Sequence, residues 1–165
     1  MEIKNVYMES YGCSANQNNS EIIEGLLQRA GLFIVRNAKI ADLAIINTCI
    51  VKSPTEERMF TRIKKLGRNF HAKLIVMGCM PDILSDDIKE IYPNASMVGS
   101  HNIHEIANAV KKVSEGKTVY LIGEKNEIKL CMPKINKNRV IGITQILEGC
   151  LGNCSYCITR YAKGK

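Results

Sequence analysis

Two short runs, Leu43-Ala44-Ile45-Ile46 and Leu74-Ile75-Val76-Met77, are apolar at every position. A strand with one face in water alternates in polarity. Unbroken apolarity instead requires burial on both faces, the condition of an interior strand in a parallel sheet covered by helices. Both runs stop abruptly, the first at Asn47-Thr48-Cys49 and the second at Gly78-Cys79-Met80-Pro81. Stretches with helical period separate these runs, the rhythm of stacked βαβ units.

The remaining elements follow from the same reading. Residues 3–9 form a first candidate strand, and weaker ones lie at 95–98 and 118–122. A helix is expected over 20–30, capped by Asn19 or Ser20, with Ile22, Ile23, Leu26 and Leu27 on one face and Gly31 as its stop. Ser53-Pro54-Thr55-Glu56 opens another helix with a capping Ser, Pro at the first helical position and Glu three residues after the cap. Its inward face is Met59, Ile63 and Leu66, and Gly67 is expected to end it. A short helix is expected over 85–91. Asn102 with Glu105 caps a last one, facing inward through Ile103, Ile106, Ala107, Val110 and Val113 and closed by Gly116. The fold class expected is α/β: residues 1–122 form a parallel sheet of four or five strands with helices on both faces.

Residues 123–139 are polar and basic with no sustained period, and read as a linker. After it, residues 140–147 read as a strand running into Glu148-Gly149-Cys150, the start of a second domain over 140–165. No apolar run approaches the roughly 20 residues that span a membrane. The start, MEIKNVYMESYGC, lacks a secretory pattern, so a cytoplasmic chain is expected. Charge is uneven: residues 1–110 hold 12 Lys and Arg against 12 Asp and Glu, whereas residues 111–165 hold 11 against 4. The basic last third suits either a nucleic-acid partner or a solvated linker.

Seven cysteines in a chain expected to sit in a reducing compartment point to metal ligation or thiol chemistry rather than a disulfide framework. Cys13, Cys49 and Cys79 each fall within a few residues of the end of a different expected strand. The carboxyl ends of parallel strands share one sheet edge, where such folds bind ligands, so these three cysteines are expected to converge. The alternative is three buried small hydrophobes. Asn47 and Ser14 are candidates to orient this site by hydrogen bonds.

Cys150, Cys154 and Cys157 form a local CxxxCxxC array in CLGNCSYC. Three thiolates suit an iron–sulfur cubane with one open iron, while zinc sites commonly close with four ligands. Cys131 lies apart as a spare thiol. His71, His101 and His104 are near neither set in sequence, and His101 and His104 suit surface or capping roles.

CxxxCxxC after an expected strand resembles the signature of radical S-adenosylmethionine enzymes. Upstream, Gly12-Cys13-x-x-Asn16, Ser20-Glu21, Ala41-Asp42, Asn47-Thr48-Cys49 and Gly78-Cys79 are together similar to the N-terminal domain of the methylthiotransferases. The resemblance implies two [4Fe–4S] clusters. Cys150, Cys154 and Cys157 would hold the one whose open iron chelates S-adenosylmethionine and drives its reductive cleavage to a 5′-deoxyadenosyl radical. Cys13, Cys49 and Cys79 would hold an auxiliary cluster, where sulfur is methylated and passed to the substrate. It further implies an electron donor and a sulfur source as partners, and that residues 140–165 begin a truncated radical barrel.

The loop Tyr11-Gly12-Cys13-Ser14-Ala15-Asn16 looks like that of the archaeal and eukaryotic branch, which acts on threonylcarbamoyl-adenosine beside the tRNA anticodon. Enzymes of isopentenyl-adenosine tRNA, or of a ribosomal-protein aspartate, are the alternatives within the family. A non-catalytic iron–sulfur or zinc-binding module is the alternative outside it. Where the family often has Asp before Ser-Glu, this chain has Asn19. The stretch present is expected to hold the auxiliary cluster better than the radical one, and not to turn over by itself.

Overall fold

The computed structural model describes residues 3–50, 53–70, 73–125 and 128–164, with side chains from residue 56 onward in the helix that begins at Ser53. Six parallel strands are the frame: β1 (Asn5–Ser10), β2 (Phe33–Val35), β3 (Leu43–Thr48), β4 (Leu74–Gly78), β5 (Ser96–Gly99) and β6 (Tyr120–Leu121). Their spatial order is β2-β1-β3-β4-β5-β6. The helices between them are α1 (Ser14–Arg29), α2 (Ser53–Phe70), α3 (Cys79–Ile83), α4 (Ser85–Ile91) and α5 (Ile106–Ser114), and α6 (Thr159–Lys163) lies near the end of the chain.

The unbroken apolar runs do what their composition demands. Leu43 and Ile45 of β3 enter one core with Ile22, Ile23 and Leu27 of α1 and Val110 of α5. Ala44 and Ile46 point the other way, into a second core with Met59, Ile63 and Leu66 of α2 and Ile88 of α4. Successive residues of one strand thus feed opposite layers, and helices cover both faces. Among the described residues, no helix is long and apolar enough to cross a membrane.

Several expectations are corrected. The first helix begins at Ser14, six residues before the expected start, so Asn19 and Ser20 are buried within α1 rather than capping it. The second runs past Gly67 to Phe70, and the bare face of Gly67 receives the Tyr92 ring: a Cβ there would lie 2.8 Å from its edge. The cap expected at Ser53 lies outside the described residues. Asn102 does not cap α5. It is buried in a 3₁₀ segment, Ser100–Glu105, and donates to the Gly123 carbonyl at 3.1 Å. The edge strand β2 was not foreseen.

Residues 140–147 form no strand. Val140 and Leu147 are 92% and 85% exposed, with no ladder beside them among the described residues. Residues 133–137 are irregular, as expected of a connection, but they lie flat on α1. The Ile135 N–H donates to the Glu21 carbonyl at 3.0 Å, and Lys134 and Lys137 pair with Glu21 and Glu24 at 3.1 and 2.6 Å. Gly25 allows this approach, since a Cβ there would stand 2.5 Å from the Pro133 carbonyl.

Candidate functional site

The order β2-β1-β3 means that the chain leaves β1 in one direction and returns past it in the other. Such a reversal opens a crevice at the carboxyl ends of the two central strands. Cys13 lies three residues beyond β1, at the N-cap of α1, where its thiol makes no capping bond. Cys49 directly follows β3, and Cys79 directly follows β4 as the first residue of α3. Cys49 and Cys79 are buried and Cys13 is exposed.

Two glycines allow the loops to close to this extent. Gly12 has φ +109°, and a Cβ on it would lie 2.4 Å from Cys49 Cβ and 2.8 Å from its Sγ. Gly78 has φ +99°, and its Cβ would fall 2.4 Å from Asn47 Oδ1 and the Thr48 carbonyl. Neither backbone conformation nor spacing would accept a side chain.

Beneath the cysteines runs a buried polar network. Asn16 Nδ2 donates to the carbonyls of Tyr11 and Thr48, both at 2.7 Å, tying the loop after β1 to the end of β3. Its Oδ1 lies 3.9 Å from Cys79 Sγ. Asn47 Nδ2 donates to the Asn16 carbonyl at 2.9 Å and to Ser20 Oγ at 2.7 Å, and Thr48 Oγ1 donates to the Met77 carbonyl at 2.7 Å. Orientation therefore comes from Asn47, as expected, and from Asn16, in place of Ser14. Burial pushes the Cys79 thiol up to about 11, opposed by the Lys163 ammonium beside it and reinforced by Cys49 and Cys13. A thiol so placed gives up a proton when it takes a metal.

The second set is different in kind. Cys150 and Cys154 are exposed and Cys157 is half-buried. Their loop wraps Gly152, whose Cβ would lie 3.3 Å from Cys150 Sγ and 4.0 Å from Cys154 Sγ, and the Cys157 N–H donates to the Cys154 carbonyl at 3.2 Å. The Thr159 hydroxyl, then its N–H, hold the Cys157 thiol below its ordinary range. A cavity of about 530 Å³ separates this loop from α3, lined by Asp82, Ile83, Tyr156, Cys157 and Tyr161. Cys131 is exposed, at φ 64°. His101 faces the Lys125 carbonyl and His104 faces Glu105, while His71 lies outside the described residues.

Among the described residues, no three His, Cys, Asp or Glu side chains are disposed to chelate one metal ion. A cubane makes a different demand, because its thiolates bind three separate irons and stand farther apart than ligands of one ion. The donors at the sheet edge are all thiols, the soft set that such a cluster takes, and the side-chain-free Gly12 beside them keeps room.

Residues 5–99 match the model of the uncharacterized protein family UPF0004. The chain belongs to that family. It is 40% identical, over 97% of its length, to a probable threonylcarbamoyladenosine tRNA methylthiotransferase of Methanothermobacter thermautotrophicus, and covers 38% of that protein. A protein of the same name from Pyrococcus horikoshii is 36% identical over 96% of the chain, which covers 37% of it. The Homo sapiens threonylcarbamoyladenosine tRNA methylthiotransferase is 32% identical over 98% of the chain, which covers 29% of it. The chain thus spans about a third of the length of these relatives, whose names agree with the resemblance drawn from the cysteine motifs. The family match covers Cys13, Cys49 and Cys79 and stops short of Cys150, Cys154 and Cys157.

Proposed function

We propose that the chain is the N-terminal part of a radical S-adenosylmethionine methylthiotransferase that adds a methylthio group to threonylcarbamoyl-adenosine next to the tRNA anticodon. The observation that carries this reading is the placement of Cys13, Cys49 and Cys79 at the ends of β1, β3 and β4, on one edge at the chain reversal, in a chain that also holds CxxxCxxC. The names of the relatives supply the substrate. A cytoplasmic location accords with a tRNA substrate.

In this reading Cys13, Cys49 and Cys79 hold an auxiliary [4Fe–4S] cluster, and Cys150, Cys154 and Cys157 hold the radical one. When bound, the two clusters and S-adenosylmethionine supply reductive cleavage of the sulfonium and the sulfur that reaches the substrate, drawing on an electron donor and a sulfur source. The chain's own residues do the positioning. Asn16 and Asn47 lock the three strand-end loops to one another, so the three thiols are presented from rigid elements. Burial of Cys49 and Cys79 excludes water from the inner side of that site. Thr159 holds Cys157 ready as a thiolate through its hydroxyl and N–H.

Mass analysis of tRNA nucleosides from a strain lacking the gene tests the proposal. Loss of the methylthio group from threonylcarbamoyl-adenosine is expected. An unchanged set of methylthio-nucleosides removes the tRNA reading, and loss from isopentenyl-adenosine alone reassigns the substrate.

A further inference from the structure

Close to the three-cysteine edge lies a group of buried charges that the motifs do not account for. Lys163, the last residue of α6, is only 7% exposed. Its ammonium lies 3.2 Å from Glu148 Oε1 and within hydrogen-bonding reach of the Cys79 thiol. The other Glu148 oxygen pairs with Lys129, whose side chain is 6% exposed. Two buried cations thus share one carboxylate.

The sharing leaves one positive charge uncompensated. Burying an unpaired charge is costly, and a neutral thiol offers it little. Burial keeps Cys79 protonated in the metal-free chain, so the balance is incomplete until that sulfur carries negative charge. Thiolates that ligate a cluster supply that charge. The backbone fixes Lys163 in place independently of this pairing. Ser100 Oγ donates to the Ala162 carbonyl at 3.3 Å, the Cys150 N–H donates to the Gly164 carbonyl at 3.0 Å, and Ala162 packs with Cys79 and Ile50.

We infer that Lys163 is a positioning residue of the three-cysteine site: α6 closes over Cys79 and contributes the cation that offsets the negative charge of the thiolate donor set. The site is then built from both cysteine regions, since Lys163 lies six residues beyond Cys157. This rests on the proposal that Cys13, Cys49 and Cys79 hold a cluster. A cation against a cluster stabilises its reduced, more negative state, so its removal lowers the reduction potential.

The test uses the chain carrying C150A, C154A and C157A, reconstituted anaerobically with iron and sulfide, so that only the sheet-edge site can be filled. Iron content and the midpoint of a dithionite titration followed by electron paramagnetic resonance are compared for this parent, Lys163→Met, Lys163→Arg and the exposed control Lys117→Met. The expected result is a full complement of iron with a tenfold or greater shift against reduction in Lys163→Met, a fall of about 59 mV for one electron. Lys163→Arg and Lys117→Met stay near the parent. Iron lost in Lys163→Met and restored in Lys163→Arg equally supports the inference. A Lys163→Met midpoint equal to the parent's overturns it while the cluster assignment stands, as does iron lost in both Lys163 variants, because charge is then not what matters. A parent without iron overturns the cluster assignment and this inference with it.

Discussion

The two cysteine sets differ in how they are held. Cys13, Cys49 and Cys79 come from three strand ends bound together by Asn16, Asn47 and Thr48, whose side chains are fully buried. Cys150, Cys154 and Cys157 share one short loop whose neighbours Leu151 and Tyr156 are 88% and 90% exposed. The first set is dispersed in sequence and ordered by the fold. The second is compact in sequence, and its apolar surroundings have no cover among the described residues. A site of the first kind is preorganised, so ligand binding there need not order the chain at the moment of binding.

The largest expected effect separates the two sets by function. In the complete enzyme, Cys13→Ala, Cys49→Ala or Cys79→Ala should abolish thiomethylation while leaving S-adenosylmethionine cleavage partly intact, read as 5′-deoxyadenosine release. Replacing Cys150, Cys154 or Cys157 should stop cleavage itself. Cleavage lost in Cys49→Ala with the radical cluster still occupied would show that the labour is not divided this way.

Matched glycine substitutions sharpen the structural contrast. Gly12→Ala places a Cβ 2.4 Å from that of Cys49 in a left-handed backbone, and should cost on the order of 3 kcal/mol in urea denaturation. Asn16→Ala removes the donor that serves the Tyr11 and Thr48 carbonyls, and should cost about 1–3 kcal/mol in the same measurement. Gly152→Ala meets Cys150 Sγ at 3.3 Å in an open loop, and should change stability by no more than about 0.5 kcal/mol. Equal costs for Gly12→Ala and Gly152→Ala would remove the distinction between an ordered and an open site.

Acid should also act first on the sheet-edge side. Burial pushes the Glu9 carboxyl up, but the Arg62 guanidinium and the Tyr7 and Tyr11 hydroxyls outweigh it and hold the group below its ordinary value. The stabilisation from Glu9 is therefore present above the ordinary carboxyl range and lost as pH falls through the depressed value. Glu9→Gln should flatten the acid limb of a stability–pH curve. An unchanged limb would exclude this pair as a source of acid sensitivity.

Much of this contrast was legible in the chain. The continuous runs at β3 and β4 declared a parallel sheet, and the positions of Cys13, Cys49 and Cys79 after strands placed them on its carboxyl edge. What was misread has a common cause. Asn16, Asn18, Asn19 and Ser20 look like a polar lead-in, yet they lie buried in the first half of α1. Hydrophobic periodicity cannot register a helix face that is buried for its hydrogen bonds. Gly67 looked like a stop, but a neighbouring Tyr92 ring fills its bare side and the helix continues. Residues 140–147 have strand composition, and a strand forms only where a second one pairs with it. Lys163 carried no local signal, because its importance comes from Cys79, 84 positions earlier in the chain.

The central claim is that the sheet-edge cysteines hold a cluster of their own, and one comparison tests it most directly. Iron and sulfide are counted, with electron paramagnetic resonance, on the anaerobically reconstituted chain and on its C150A, C154A, C157A variant. About four irons retained by the variant is the result expected of an independent cluster on Cys13, Cys49 and Cys79. A variant with no iron, or with stoichiometric zinc, would contradict it.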